Sequence, residues 1–178
     1  MQDFGLALLG RAIVNVTFSE AGNPYAHAMG VVHAAHAAEI ILKARIAEEH
    51  PLLIFTKLPK PDLQSKSVLS PARLLAEGRT LSYEELPDAL WSATGYRLRK
   101  QPEFYAFGKL RNTITHLAVP QDDFLADKTF RFCFQVIAPA IWNFWKADIF
   151  DKIGEYDDGA EEYVVKQLKR HKIFLRTR

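Results

Sequence analysis

Apolar residues recur at intervals of three and four from Ala28 to Ile46, the spacing that gathers side chains on one face of a helix, and strand signals are weak throughout the chain. The pattern predicts an all-α helical bundle. Residues 2–17 read as a first helix, after which Ser19, Gly22, Asn23 and Pro24 mark a turn. A long second helix follows over residues 24–50, with Pro24 at its first position, abundant alanine, and Pro51 to close it. Ala28, Val31, Ala35, Ala38, Leu42 and Ile46 make one buried stripe on this rod, small enough for a neighbouring helix to come close. Another face carries His36, Glu39, Lys43 and His50, a polar seam that is either solvent-facing or functional.

Residues 56–70 are rich in Pro, Lys and Ser and hold no sustained period, so they read as a loop. Ser70 and Pro71 start a short helix that ends at Gly78, and Ser82 with Glu85 forms a capping-box pattern for the next. Residues 95–101 are a basic connector. The helix after it begins near Pro102 and stops before Pro120, because a residue that precedes proline resists helical geometry. Asp122 or Asp123 caps a further helix through Phe150, in which Pro139 forces a kink or a break. A last helix over residues 158–171 has acidic residues in its first turn and basic ones in its last, which suits the helix dipole.

Composition narrows the class. A length of 178 residues suits one domain with a C-terminal appendage, and 48% hydrophobic with 25% charged residues excludes wholesale disorder. The single Cys133 excludes an intramolecular disulfide and any cysteine cluster of metal ligands, and it suits a reducing compartment. Residues 1–9 are apolar but carry Asp3 and lack a basic start, so they do not read as a signal peptide. Arg131, Gln135, Pro139 and Asn143 interrupt the apolar stretch 130–145, which is short for a bilayer span and reads as a core helix. The expected setting is the cytoplasm, away from membranes.

The formal charge of +2 is too small to argue for nucleic acid, but the charges are unevenly placed. Asp151, Glu155, Asp157, Asp158, Glu161 and Glu162 form an acidic stretch, and Lys166, Lys169, Arg170, Lys172, Arg176 and Arg178 follow as a basic tail. A second basic cluster, Arg97, Arg99, Lys100, Lys109 and Arg111, leads into the segment with the clearest chemistry. Solvated surface and phosphate contact account for these clusters equally well.

That segment is Gly108-Lys109-Leu110-Arg111-Asn112-Thr113-Ile114-Thr115-His116. Arginine keeps its charge at any working pH and offers a planar fork of donors to a phosphate. Histidine takes or gives a proton near neutrality, and a helix C-terminus favours its charged form, which suits a proton donor. On an ideal helix Arg111 and His116 stand about 140° apart, whereas Asn112 and His116 share a face. A site that uses all three therefore needs a distorted helix end or a partner surface, and a symmetric dimer supplies the latter.

Arg111, Asn112 and His116, with four residues between the arginine and the histidine, resemble the signature of the HEPN domains of prokaryotic defence and toxin systems. Leu110, Thr115 and the placement after an alanine-rich helix are similar too, and Glu39 with Lys43 resembles a Glu–Lys pair four residues apart on that earlier helix. Ala47 stands where some members have an aromatic residue or a histidine. The resemblance covers roughly residues 24–120 and leaves the C-terminal helices and basic tail, about 121–178, without a counterpart. It implies a HEPN-like helical bundle and metal-independent RNA cleavage by attack of the ribose 2′-hydroxyl on the adjacent phosphate. His116 would be general base or acid, Arg111 would stabilise the phosphoryl charge, and Asn112 would orient one of them. Glu39 and Lys43 would support the site, although an exposed helical ion pair explains them equally. Arg97, Arg99, Lys100 and Lys109 would bind the nucleic acid. The expected partners are RNA, a second copy of the chain and a neutralising antitoxin, with no cofactor and no metal.

Other features compete. Arg45 and His50 repeat the bare spacing before a proline, but Ile46 follows the arginine and the pair reads as a decoy. His27, His33, His36 and Glu39 invite a metal, yet their order and lack of repetition do not match helical-bundle carboxylate sites. Phe130, Phe132, Phe134, Trp142, Phe144 and Trp145 suit core packing or a dimer interface better than base stacking. A second function class stays open: a non-catalytic module that binds nucleic acid or protein through its aromatic helix and basic tail, weakened by truncation after Tyr163.

Overall fold

The structure is a computed structural model, and it describes residues 1–18, 23–60, 69–120, 124–154 and 159–173. Ser19, Gly22, Asp122, Asp123, Glu155, Asp157, Asp158, Arg176 and Arg178 lie outside the described residues. The helical reading holds, with one small antiparallel strand pair added.

Helix α1 (Gln2–Thr17) runs antiparallel to α2 (Ala26–Glu49), with Gly5 against Ile41 at one end and Gly30 against Val16 at the other. The second helix starts later than its proline suggests. Asn23 accepts from Tyr25 N through its side chain at 3.0 Å and from Ala26 N through its carbonyl at 3.3 Å, so Pro24 belongs to the turn instead of the first helical position. All six residues of the expected stripe are buried, but so are Ala34, Ala37, Ile41 and Ala44. Helix α2 is therefore a central rod covered on several sides, and its small side chains admit neighbours all round.

After α2, His50 Nδ1 accepts from Leu52 N at 3.2 Å and starts a 3-10 turn, Pro51–Ile54. The chain then forms strand β1 (Phe55–Lys57), which pairs with β2 (Arg79–Thr80) where only a loop was expected. These strands are too short to show alternation in the sequence. Between them, α3 (Pro71–Glu77) begins at Ser70, whose Oγ accepts from Arg73 N at 3.2 Å. Helix α4 (Leu86–Thr94) is entered through a 3-10 turn, Tyr83–Glu85, held by Ser82 N donating to Glu85 Oε2 at 2.7 Å. Gly95, with φ of 73°, ends α4, and the basic connector leads into α5 (Gln101–His116).

The proline-bearing helix bends its rule without breaking. Helix α6 (Leu125–Arg131) passes into a π-turn (Phe132–Ile137) and on into α7 (Ala138–Trp145). Ala138 N reaches back five residues to Cys133 O, and this wider turn accommodates Pro139, which has no N–H to give. The run ends at Trp145 rather than Phe150, because Lys146 adopts a left-handed conformation with φ of 55°. Helix α8 (Ile149–Gly154) is separate, and Gly159 turns the chain into α9 (Ala160–Arg170).

Ile149, Ile153, Ala160, Val164, Leu168 and Ile173 belong to the same buried cluster as Leu9 and Ile13 of α1. The C-terminal helices are thus part of the core. Truncation after Tyr163 removes Val164, Leu168 and Ile173 from that core, so any loss of binding it caused would confound charge with packing. Among the described residues no helix is long and apolar enough to cross a membrane.

Candidate functional site

Helix α5 divides the candidate residues between two faces. Phe104, Phe107 and Gly108 are buried and Arg111 is half-buried, at the i, i+3, i+4 and i+7 spacing of an inward stripe. Ala106, Lys109, Asn112 and His116 are exposed on the outward one. The helix stays α-helical through His116, so the distorted end that would have brought Arg111 and His116 together is not there. Five residues of regular helix separate them by about 140° and about 7.5 Å of rise. Neither the Asn112 amide nor the His116 imidazole has a hydrogen-bond partner among the described residues, whereas Thr115 Oγ1 is turned back onto Arg111 O at 2.9 Å.

Arg111 has a different environment. Its guanidinium carbon lies 5.6 Å from the centroid of the Tyr83 ring, a cation–π arrangement. Tyr83 is 6% exposed, stacks on the Phe104 ring at 4.2 Å with 7° between planes, and donates its hydroxyl to Phe104 O at 3.3 Å. Burial pushes the Tyr83 phenol well above its ordinary range, against the lowering pull of Arg111 and with a further push from the Glu39 carboxylate. The phenol therefore remains neutral.

Glu39 and Lys43 reach this neighbourhood from α2. Lys43 is only 8% exposed; its Nζ donates to Glu39 Oε1 at 2.7 Å and to Thr80 Oγ1 of β2 at 3.1 Å. This overturns the picture of an exposed helical ion pair. The polar seam on α2 accordingly splits, since Lys43 is buried and Glu39 half-buried, while His36 and His50 are exposed. Two-residue β2 and the 3-10 turn after it carry Thr80 and Tyr83 to the α2–α5 junction. Phe107 stacks on Phe132 of the π-turn at 3.9 Å and 3°, which braces α5 from behind.

Sequence reasoning missed Thr80 and Tyr83. The available signal was Gly108, since glycine inside a helix costs about 1 kcal/mol relative to alanine and often marks a close approach.

The basic residues named for nucleic acid are all exposed, but they differ in freedom. Lys100 donates to Gln135 Oε1 at 2.5 Å, and Arg97 lies over the exposed Trp91 ring at 4.9 Å. Lys109 shares the outward stripe with Asn112 and His116. The decoy pair has structural work: Arg45 bonds Glu49 at 2.7 Å and lies over Phe144, and His50 caps the 3-10 turn. Of the metal candidates, His33 Nδ1 is 3.2 Å from Asn15 Nδ2, an amide donating to a neutral imidazole when the ring proton is on Nε2. Among the described residues no three His, Cys, Asp or Glu side chains gather as a metal site. Compared with known proteins, the chain matches no family model, no curated protein and no solved structure.

Proposed function

We propose that this chain is a metal-independent endoribonuclease of the HEPN type, acting in the cytoplasm as a toxin or antiviral effector. The observation that supports it best is that Arg111 of α5 lies over the buried Tyr83 ring, whose phenol is also under the influence of Glu39, the α2 carboxylate paired with Lys43. In this reading Arg111 faces the scissile phosphate and stabilises the charge that develops on its oxygens. The 2′-oxygen attacks phosphorus, the bond to the 5′-oxygen breaks, and His116 accepts the first proton or supplies the second. Asn112 orients the phosphate or the imidazole, and Lys109, on the same outward stripe, binds a neighbouring phosphate together with Arg97 and Arg99. Arg111 and His116 face different ways on one helix, so a second copy completes the pocket. A neutralising antitoxin would cover the same exposed stripe.

The test is incubation of the purified chain with total RNA in the presence of a chelator. Cleavage should occur, and both His116→Ala and Arg111→Ala should abolish it while the far-ultraviolet circular dichroism stays unchanged. Cleavage by either variant at the wild-type rate removes the proposal.

The alternative, a non-catalytic helical module that binds protein or nucleic acid, draws on Leu117, which is 82% exposed immediately after His116. It predicts RNA left intact by the wild-type chain and a partner lost on Leu117→Asp.

A further inference from the structure

Positions 104 and 111 of α5 lie two helical turns apart, a rise of roughly 10 Å. The Tyr83 ring is 4.2 Å from the Phe104 ring and 5.6 Å from the Arg111 guanidinium, so one ring contacts both side chains. The ring therefore sits between the two side chains, over Gly108, where a Cβ would stand 2.5 Å from Tyr83 Cε1. Stacking on Phe104 and the close contact with Gly108 hold the ring in place, and its hydroxyl donates to Phe104 O. From these contacts we infer that Tyr83 is a positioning residue, a fixed aromatic platform that sets the direction of the Arg111 guanidinium towards the phosphate of an RNA substrate. The inference rests on the ribonuclease reading.

The physical reason is rotamer freedom. An arginine side chain loses much of its rotamer freedom when held in one geometry, and a fork pre-set on a ring gives up less of that freedom when phosphate arrives. The face of the ring is negative, so it attracts the guanidinium while leaving its N–H edges for oxygen acceptors. A hydrogen-bonding residue at position 83 would instead compete for those N–H groups. Lys43 and Glu39 are already paired with each other.

The experiment is steady-state cleavage of a short single-stranded RNA by the full chain. Tyr83→Phe keeps the ring and should stay within about twofold of wild type, whereas Tyr83→Leu should lower kcat about tenfold or more with little change in KM. In an Arg111→Lys background the Tyr83→Leu change should cost nothing further; an equal second loss there overturns the inference. Leu9→Ala, a buried substitution on α1, a different helix from those that carry the ring and Arg111, serves as the packing control, and a kcat loss as large as that of Tyr83→Leu also overturns it. If Tyr83→Leu does not fold, fluorinated phenylalanines at position 83 preserve shape while weakening the negative face. The kcat should then fall with each added fluorine, and a flat series counts against a platform. Failure of the wild-type chain to cleave any RNA removes the ribonuclease reading and this inference together, while full activity of Tyr83→Leu removes the inference alone.

Discussion

Gly108 and Tyr83 are in such close contact that a single methyl group on the glycine would stand 2.5 Å from Cε1 and 2.7 Å from Cδ1 of the ring. Two effects then oppose each other in Gly108→Ala. Helix propensity favours alanine by about 1 kcal/mol, while forcing an extra methyl into packed surroundings costs about 1–3 kcal/mol. The ring is stacked on Phe104 and hydrogen-bonded, so it has nowhere to retreat and the clash should win. Urea denaturation should show a net loss of up to about 2 kcal/mol. In a Tyr83→Leu background the same substitution should be neutral or stabilising; a stabilising effect in the wild-type background would show that the ring can move.

Lys43→Met should destabilise the fold far more than removal of a surface cation. Methionine keeps most of the volume but leaves Glu39 and Thr80 without their common donor. Breaking a fully buried ion pair costs about 3–5 kcal/mol; the Glu39 side chain is 26% exposed and partly rehydrates, so about 1–2 kcal/mol is expected. For a domain of this size that corresponds to a drop in Tm of roughly 2–8 °C. Lys166→Met, which removes the solvent-exposed partner of Glu162, should leave the Tm unchanged. Equal shifts for the two would mean that the Lys43 environment is as wet as the surface.

The same residues show how far the chain could be read in advance. Helix α2 was legible because its stripe recurs at three and four, and all six stripe residues are buried. The additional burial of Ala34, Ala37 and Ala44 was not legible, because alanine is equally at home on a face covered by a neighbour or by water. The Ser82–Glu85 capping box announced a helix start, and α4 follows there by way of a 3-10 turn. Nothing in that pattern revealed that Tyr83, one residue into the turn, inserts beneath Arg111 about thirty positions later, because long-range packing leaves no periodic trace. Pro139 predicts a kink or a break because it has no N–H to give, and the helix answers with a local π-turn whose five-residue back-bond absorbs the proline.

His33 gives the fold a pH dependence. Burial holds its imidazole below the ordinary range, and the charges of Arg11 and His36 add to the effect. A histidine whose folded pKa is depressed binds fewer protons folded than unfolded in the window between the two values, so stability rises with pH there. The contribution is complete above the unfolded value of about 6.5 and is lost as pH falls from there through the folded pKa. Melting temperatures recorded between pH 7.5 and 5 should decline on the acid side, and His33→Gln should flatten that part of the curve. An unchanged slope in the variant would assign the acid sensitivity to other groups.

The division of α5 into two faces leads to a complementation test. Arg111 packs inward on Tyr83 while His116 projects outward, about 140° away on an unbroken helix. If catalysis joins these side chains, the shorter route is across a two-fold axis, with the arginine of one protomer meeting the histidine of the other. Arg111→Ala and His116→Ala should each be inactive alone. When the two are unfolded together and refolded as an equal mixture, half the dimers are mixed, and each mixed dimer holds one pocket with both native groups. Cleavage should therefore return to about a quarter of the wild-type rate. A pocket built within one protomer gives no recovery, because every pocket in the mixture then lacks one group. Size-exclusion chromatography of the same samples shows whether dimers are present, so a monomeric chain that also shows no recovery would leave the arginine and the histidine on separate surfaces.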